Sequence, residues 1–382
     1  MKHNVLSVAL LAALGVLAAP AARAMDLGEV AGSTVSFEGL VQTDGYWYDS
    51  DVDGLDADPG DGSDTDFGLR RAELVLKGKG PGAFDWTIGY DASGDGKFLD
   101  AYGRYKFGGG LSPYLQVGQF KQPNSLEELS STKHNDFIAK ALVTNTFAVS
   151  RRLGVGSGLA GDDWGVTASM FSRELTRDRA HGPGYGVRGW WAPVNGDGNL
   201  LHLGVSHVDY DTDADTLRLR ARPGADMANR LVDTGNVTDT DRVATTGFEA
   251  LWARGPVKLQ GEYMRSQVSR MGTGGDFTGT GGYVSGLWNI TGETWGYKGG
   301  TPSTPKPADA GKGLWQLGLR YDTLDLDDGA VAGGSLDTLT AGVNWYWQKH
   351  FKFALNYVKA SSDRGGLADD PSILEARVQL HW

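Results

Sequence analysis

Residues 339–357 read LTAGVNWYWQKHFKFALNY, and their spacing decides the fold. Leu339, Ala341, Val343, Trp345 and Trp347 share one face of an extended chain. Thr340, Gly342, Asn344, Tyr346 and Gln348 share the other, because strand side chains alternate. After Lys349-His350 the pattern restarts, with Phe351, Phe353, Leu355 and Tyr357 alternating with Lys352, Asn356 and two small or apolar residues. A helix would repeat its apolar residues every three to four positions, so this is a strand pair. One face is apolar with aromatic ends, and the other is polar. A soluble sandwich also alternates, but aromatics gathered at strand ends favour the interfacial girdle of a membrane barrel.

The same pattern recurs outward from this pair. Trp86, Ile88 and Tyr90 alternate with Thr87, Gly89 and Asp91; Leu99, Ala101, Gly103 and Tyr105 alternate with Asp100, Tyr102, Arg104 and Lys106. About sixteen segments qualify: 33–48, 66–78, 83–94, 96–107, 112–121, 149–157, 163–173, 184–194, 198–210, 242–254, 256–270, 276–290, 313–327, 335–349, 351–362 and 371–382. The reading is all-β, a transmembrane antiparallel barrel over residues 25–382 with both ends on the periplasmic side, as an even strand count requires. Tight turns at 80–82, 108–110, 196–198, 255–256 and 349–350 alternate with long polar connections at 49–65, 122–149, 211–241 and 361–370. That rhythm gives short periplasmic turns and long external loops. Residues 291–312 break it, being long yet periplasmic by strand parity. The last strand carries Leu374, Ala376, Val378, Leu380 and Trp382 on one face, and such an aromatic end resembles the signal read by the barrel assembly machinery.

The N-terminus reads as an address. Lys2 and His3 precede an apolar run over 5–19, and Ala22-Arg23-Ala24 supplies a cleavage site, so residues 1–24 are expected to be a signal peptide for export to the Gram-negative outer membrane. No later stretch approaches the ~18 apolar residues of a membrane helix. With no Cys, thiol catalysis and thiolate metal sites are excluded. The formal charge is −11, and without Lys2 and Arg23 of the leader 34 basic residues face 47 acidic ones. That balance argues against nucleic acid as a partner. It leaves an anion path open, because permeation follows the local field rather than the net charge.

Motifs for catalysis are absent or out of context. Gly156-Ser157-Gly158-Leu159-Ala160-Gly161 fits a dinucleotide fingerprint but leads into another strand, not a helix. Asp49, Asp51, Asp53 and Gly54 resemble the start of a calcium loop, but Gly60 stands where a bidentate Glu is needed. An acidic external loop is the reading there, with bridging to lipopolysaccharide as an alternative. No enzyme is expected, and neither a metal nor a cofactor.

The basic residues are more informative. Arg218, Arg220 and Arg222 fall on one face of an extended segment, ~7 Å apart, with Arg230 and Arg242 following. Guanidinium forks match oxyanions and stay charged, so such a row offers successive anion sites. The alternative is pairing with Asp211, Asp213 and Asp215 on an exposed loop. The long connection after Lys121 is expected to fold into the lumen and set a constriction, with Lys121, Ser130, Ser131, Lys133 and Lys140 as candidates to line it. Glu127 and Glu128 either support a helix there or oppose anions.

Several stretches resemble the phosphate- and polyphosphate-selective porins of the OprP/OprO type, over nearly the whole chain after the leader. They are GQFKQPNSLEEL (118–129) with Ser130-Ser131, SRRLGV (150–155), FGLRRAELVLKG (67–78), and NITGETWGYK (289–298) before LWQLGLRYDTLDL (314–326). The resemblance implies a homotrimer of sixteen-stranded barrels, each passing phosphate or polyphosphate by passive diffusion. It implies an external arginine ladder on Arg218, Arg220 and Arg222, extended by Arg230 and Arg242. It places a periplasmic lysine cluster at Lys298, Lys306 and Lys312, in the segment that breaks the loop rhythm. It also implies a central oxyanion site of lysines, a serine pair and an aspartate. Ser130 and Ser131 match the pair and Asp100 the aspartate, with Lys77, Lys79, Lys121 and Arg71 as the basic candidates. The departures are Glu127-Glu128 in the loop and Asn124 where an aromatic is expected. The competing readings are a weakly selective porin for other anions or small polar solutes, and a structural or adhesive barrel with little conductance.

Overall fold

The structure is a computed structural model that describes residues 25–57, 64–176, 182–196, 198–212, 214–272 and 274–382. The expected signal peptide, Asp213 and Gly60 lie outside the described residues. Sixteen strands form the wall: β1 Ser33–Asp49, β2 Thr65–Lys79, β3 Phe84–Asp91, β4 Lys97–Lys106, β5 Tyr114–Lys121, β6 Arg151–Ala160, β7 Trp164–Phe171, β8 Gly184–Gly196, β9 Asn199–Asp211, β10 Thr240–Arg254, β11 Val257–Arg270, β12 Phe277–Asn289, β13 Leu314–Asp328, β14 Val331–Trp347, β15 Phe351–Arg364 and β16 Ser372–His381. Each pairs antiparallel with its neighbour in the chain, and β16 pairs with β1 from Leu40↔His381 to Asp49↔Ser372. Every backbone ladder is thereby satisfied within the wall, which is the condition for crossing lipid with strands. All sixteen segments read from the sequence are strands.

The barrel is inside-out relative to a soluble protein. On β14 the Leu339 and Ala341 face is exposed, while Thr340, Gly342, Asn344 and Tyr346 are buried. At the periplasmic end Trp315, Trp345 and Phe353 stack outside the wall, with ring centroids 5.5 Å and 5.2 Å apart. Toward the external end Trp47 and Phe67 meet edge to face at 5.3 Å. These are the two aromatic girdles.

The seam between first and last strands has a specific fit. Trp382 exchanges backbone hydrogen bonds with Gly39 at 3.1 Å and 3.3 Å. Its indole lies where a side chain at 39 would sit, because a Cβ there would come within 2.1 Å of the ring. Just below, a short strand Met25–Val30 pairs with the start of β1 and continues the position that β16 vacates.

The lumen is unevenly filled. The connection 122–150 turns inward, carrying the short helices α1 Leu126–Leu129 and α2 Leu142–Phe147. It is held to the far wall by backbone contacts. Glu262 of β11 accepts from the Leu126 and Glu127 N–H groups at 2.9 Å and 2.8 Å, Lys352 of β15 donates to the Asn135 carbonyl at 2.6 Å, and Arg377 of β16 donates to the Ile138 carbonyl at 2.8 Å. The external loop 212–239 crosses over this filling and buries Leu217, Leu219 and Ala221 in one apolar cluster with Leu142, Val143 and Phe147. From the periplasmic end, residues 290–313 also turn inward. Trp295 stacks under the Lys258 ammonium at 4.1 Å, Tyr297 hydrogen-bonds His202 at 2.6 Å, and Arg188 donates to the Gly300 carbonyl at 2.8 Å. The segment that broke the loop rhythm is thus an inward plug on the periplasmic side.

Candidate functional site

Two large chambers lie against β1–β6. The external-side chamber has a volume of ≈ 220 Å³, and the periplasmic-side chamber ≈ 360 Å³. Leu99, Lys121, Thr132 and Arg151 line both, so they mark the neck. Strand β5 delivers Lys121 to the neck because the chain turns inward immediately after it. Strand β6 delivers Arg151 opposite, through the pairing Lys121↔Arg151.

Both neck cations are partly engaged. The Lys121 ammonium donates to the Ser130 carbonyl at 2.9 Å and to the Glu128 carbonyl. An ammonium has three N–H groups, so one stays available. The Arg151 guanidinium grips Asp100 with Nε and Nη2, at 3.1 Å and 3.0 Å. Asp100 is therefore the partner of Arg151 rather than of Arg104 or Lys106. Arg104 instead donates to Gln116, and Lys106 pairs with Asp85.

The external-side chamber is strongly basic. Eight basic side chains line it against three acidic ones. Arg70 and Arg71 both face it although they are consecutive, which strict alternation forbids. A β-bulge explains this: Gln42 pairs with Arg71 and Thr43 with Leu69, leaving Arg70 as the extra residue. The partners of Arg71, Arg151 and Arg377 are Glu73, Asp100 and Asp44, none of which lines this chamber. Arg71 and Arg151 keep part of their guanidinium surface toward the opening, with their carboxylates outside it, whereas Arg377 is buried against Asp44 and the Ile138 carbonyl at the chamber's edge. Arg70 binds Asp226 of the loop 212–239 at 2.8 Å, strapping that loop to the pore wall. Burial acts to raise the Asp226 carboxyl, but Arg70, Arg377 and Arg71 together hold it down to about 2.

The loop acids are structural. Glu127 accepts from the Ala141 N–H at 2.9 Å, and Glu128 binds Lys140 and the Ser150 hydroxyl. Burial acts to raise Glu128, but Lys140 and Lys121 hold it down to about 2. Asn124 accepts from the Val149 N–H at 3.2 Å, joining the two ends of the inward connection.

The other expected site residues divide by place. Ser130 is buried and gives its hydroxyl to the Leu126 carbonyl at 2.7 Å, whereas Ser131 is exposed and lines the periplasmic-side chamber. Lys133 and Lys77 line the same chamber, with Lys77 on Glu38 at 2.8 Å. Lys79 is exposed at the end of β2 beside a periplasmic turn. Arg218, Arg220, Arg222 and Arg230 gather on the crossing loop, where partial burial and the charges of Arg222 and Arg220 push the Arg230 guanidinium down to about 10. Arg218 pairs with Asp233 at 2.7 Å, and Arg222 donates to the Ala228 carbonyl at 2.6 Å. Arg242 stands apart, on strand β10 against Asp209. Lys298, Lys306 and Lys312 are exposed along the inward-turning periplasmic segment. Sequence reasoning gave no role to Arg70, Arg151, Arg152 and Arg377. Arg377 was visible as a cation on the polar face of the last strand, but its position at the chamber depends on closure of the barrel.

A family model described as phosphate-selective porin O and P matches residues 41–382. Porin O of Pseudomonas aeruginosa is 28% identical over 364 residues, covering 82% of this chain and 81% of that protein. An uncharacterized protein of Caulobacter vibrioides is 33% identical over 282 residues, which are 68% of this chain but only 56% of that protein's length. Among solved structures, the anion-selective porin from Comamonas acidovorans superposes with a TM-score of 0.58 at 14% identity, covering 92% of this chain and 100% of that one.

Proposed function

Since the chain belongs to the family of phosphate-selective porins O and P, and is an outer-membrane β-barrel porin, we propose that it passes phosphate or polyphosphate such as pyrophosphate into the periplasm by passive, anion-selective diffusion. The observation that carries this reading is the chamber where eight cations face three carboxylates, directly above the Lys121–Arg151 neck. Field in a narrow lumen decides which ion enters, so a surplus there outweighs a net charge of −11 on the whole chain.

The path runs from the loop arginines at the mouth, through Arg70 and Arg71, to the neck. There the remaining N–H of Lys121 and the free edge of Arg151 replace part of the ion's hydration. Because about half of their donors already serve Glu128, Ser130 and Asp100, binding is modest, as conduction requires. Below the neck, Lys133, Lys77 and the exposed lysines Lys298, Lys306 and Lys312 draw the ion to the exit. No bond is made or broken. The same reading includes a homotrimer, supported by the five short strands β3–β7, whose outer face exposes Ile88, Leu115, Val117 and Met170. It also includes export by a signal peptide over residues 1–24, external contacts with lipopolysaccharide, and recognition of the Trp382 strand by the barrel assembly machinery.

The test is conductance of the purified protein in a planar bilayer under a KCl gradient, followed by titration with phosphate and pyrophosphate. A reversal potential set by chloride, with current blocked by low phosphate, is the expected result. A chloride-set potential without phosphate block would leave a weakly selective anion pore. Negligible conductance would favour the structural barrel.

A further inference from the structure

The inward face of a porin wall is ordinarily polar. The periplasmic-side chamber departs from that rule at one place. Leu40 of β1, Val75 of β2, and Leu99 and Tyr102 of β4 all line it. Intervening strand β3 contributes Gly89, where a Cβ would lie 3.2 Å from the Leu99 Cβ and 3.3 Å from the Val75 Cγ2, so the glycine lets the patch run unbroken across three strands. A bulge at Leu99 and Asp100, opposite Gly89 alone, brings both the apolar and the acidic residue to the lumen. Leu129 of the inward connection and Trp382 complete the wall. Leu40 and Leu99 are buried, but Val75, Tyr102, Leu129 and Trp382 keep part of their surface toward the chamber. An inorganic oxyanion gains nothing from such a surface.

We propose that this chamber is a subsite for organic phosphates, monoesters whose phosphate head sits on Lys121 and Arg151 and whose ring-sized apolar body lies on Val75, Tyr102 and Leu129. A cavity of ~150 Å³ holds a benzene ring, so ≈ 360 Å³ accommodates the ring together with its head. The mix of an apolar wall with a few convergent polar groups is that of a small-molecule pocket. Lys77, Lys121, Lys133 and Arg151 face Glu38, Glu73 and Asp100 in its lining, so the chamber keeps one positive charge in excess while the apolar wall selects the body. The proposal rests on the reading that the neck takes an oxyanion.

The experiment compares block of KCl current by inorganic phosphate and by phenyl phosphate, in the wild type and in Val75→Thr and Leu129→Gln. Unchanged KCl conductance of each variant establishes that its barrel is intact. Phenyl phosphate should block the wild type at concentrations on the order of tenfold lower than phosphate, the gain expected from half-burying a phenyl ring. Each substitution should shrink that advantage to about threefold or less, with block by inorganic phosphate unchanged. Equal block by the two anions in the wild type, or an advantage that survives both substitutions, overturns the subsite and leaves the phosphate reading standing. If neither anion blocks, the oxyanion reading itself falls.

Discussion

The two halves of the lumen carry charged residues at similar depth and use them in opposite ways. In the filled half, Arg320 is buried against Asp322 at 2.7 Å and the Ala139 carbonyl at 3.0 Å, Arg188 against Glu249, and Lys258 against Asp136 at 2.6 Å. Each cation meets its carboxylate at close range, and the local charge cancels. In the open half, Arg71 and Arg151 also have carboxylate partners, but those partners sit outside the external-side chamber. An open chamber lies beside them, and a positive face survives. A salt bridge in a filled lumen is cement, whereas the same pair beside an opening becomes an oriented dipole with its cation toward the path. The difference lies in what occupies the neighbouring volume, not in residue type.

Unpairing a cation of the filled half has the largest expected effect. Arg320→Met leaves Asp322 buried without its cation and should destabilise the barrel by about 3–5 kcal/mol, read by urea or heat denaturation, while ion selectivity of the folded fraction is unchanged. A shift in selectivity would show that the filled half also faces the path. On the open side, Lys121→Gln should weaken phosphate block by about tenfold or more, the value of a charge-assisted hydrogen bond, and move the reversal potential toward that of potassium. Unchanged block would remove Lys121 from the neck site.

Acid should act next, on the strap between the halves. Asp226 is held down to about 2, against ~3.9 for a free aspartate. A carboxyl lowered in the folded state contributes stability above its unfolded value, and that contribution is lost as pH falls through the folded one. The strap to Arg70 is therefore intact from pH 7 to about 4 and weakens toward pH 2, a term of roughly 2–3 kcal/mol. Protease sensitivity of residues 212–239 should rise only in that window, and Asp226→Asn should bring the sensitivity to neutral pH. The smallest effect belongs to the mouth. Arg220 is exposed, so Arg220→Gln should lower anion current by about twofold at low salt and not measurably at 1 M, where the screening length is ~3 Å.

Much of the fold was legible because alternation is a local property. Each strand announces its two faces over its own ten or so residues, and turns announce themselves by Gly, Pro and Asn. Strand parity then assigned each connection to an end and marked 291–312 as an exception. The site was less legible. Arg218, Arg220 and Arg222 do share a face, since Leu217, Leu219 and Ala221 between them are buried, yet the partner of Arg218 is Asp233 on the returning arm of the same loop. Glu127 and Glu128 resemble obstacles to an anion in the sequence, but in the structure they are consumed in holding the inward connection. The second inward cation, Arg70, depends on a bulge that period-two counting does not contain.

A membrane barrel of about sixteen strands and the sidedness of its loops can be read from the chain alone. These follow from the two-residue period and from the chemistry of each side chain. Only the tertiary structure decided which cations face water and which are cancelled. That depends on where the connection 122–150 and the segment 290–313 lie inside the wall, and on which carboxylate each cation reaches, from two residues away at Arg71 to 333 at Arg377. Arg377 illustrates it: its grip on Asp44, 333 residues away, exists only because the last strand closes on the first.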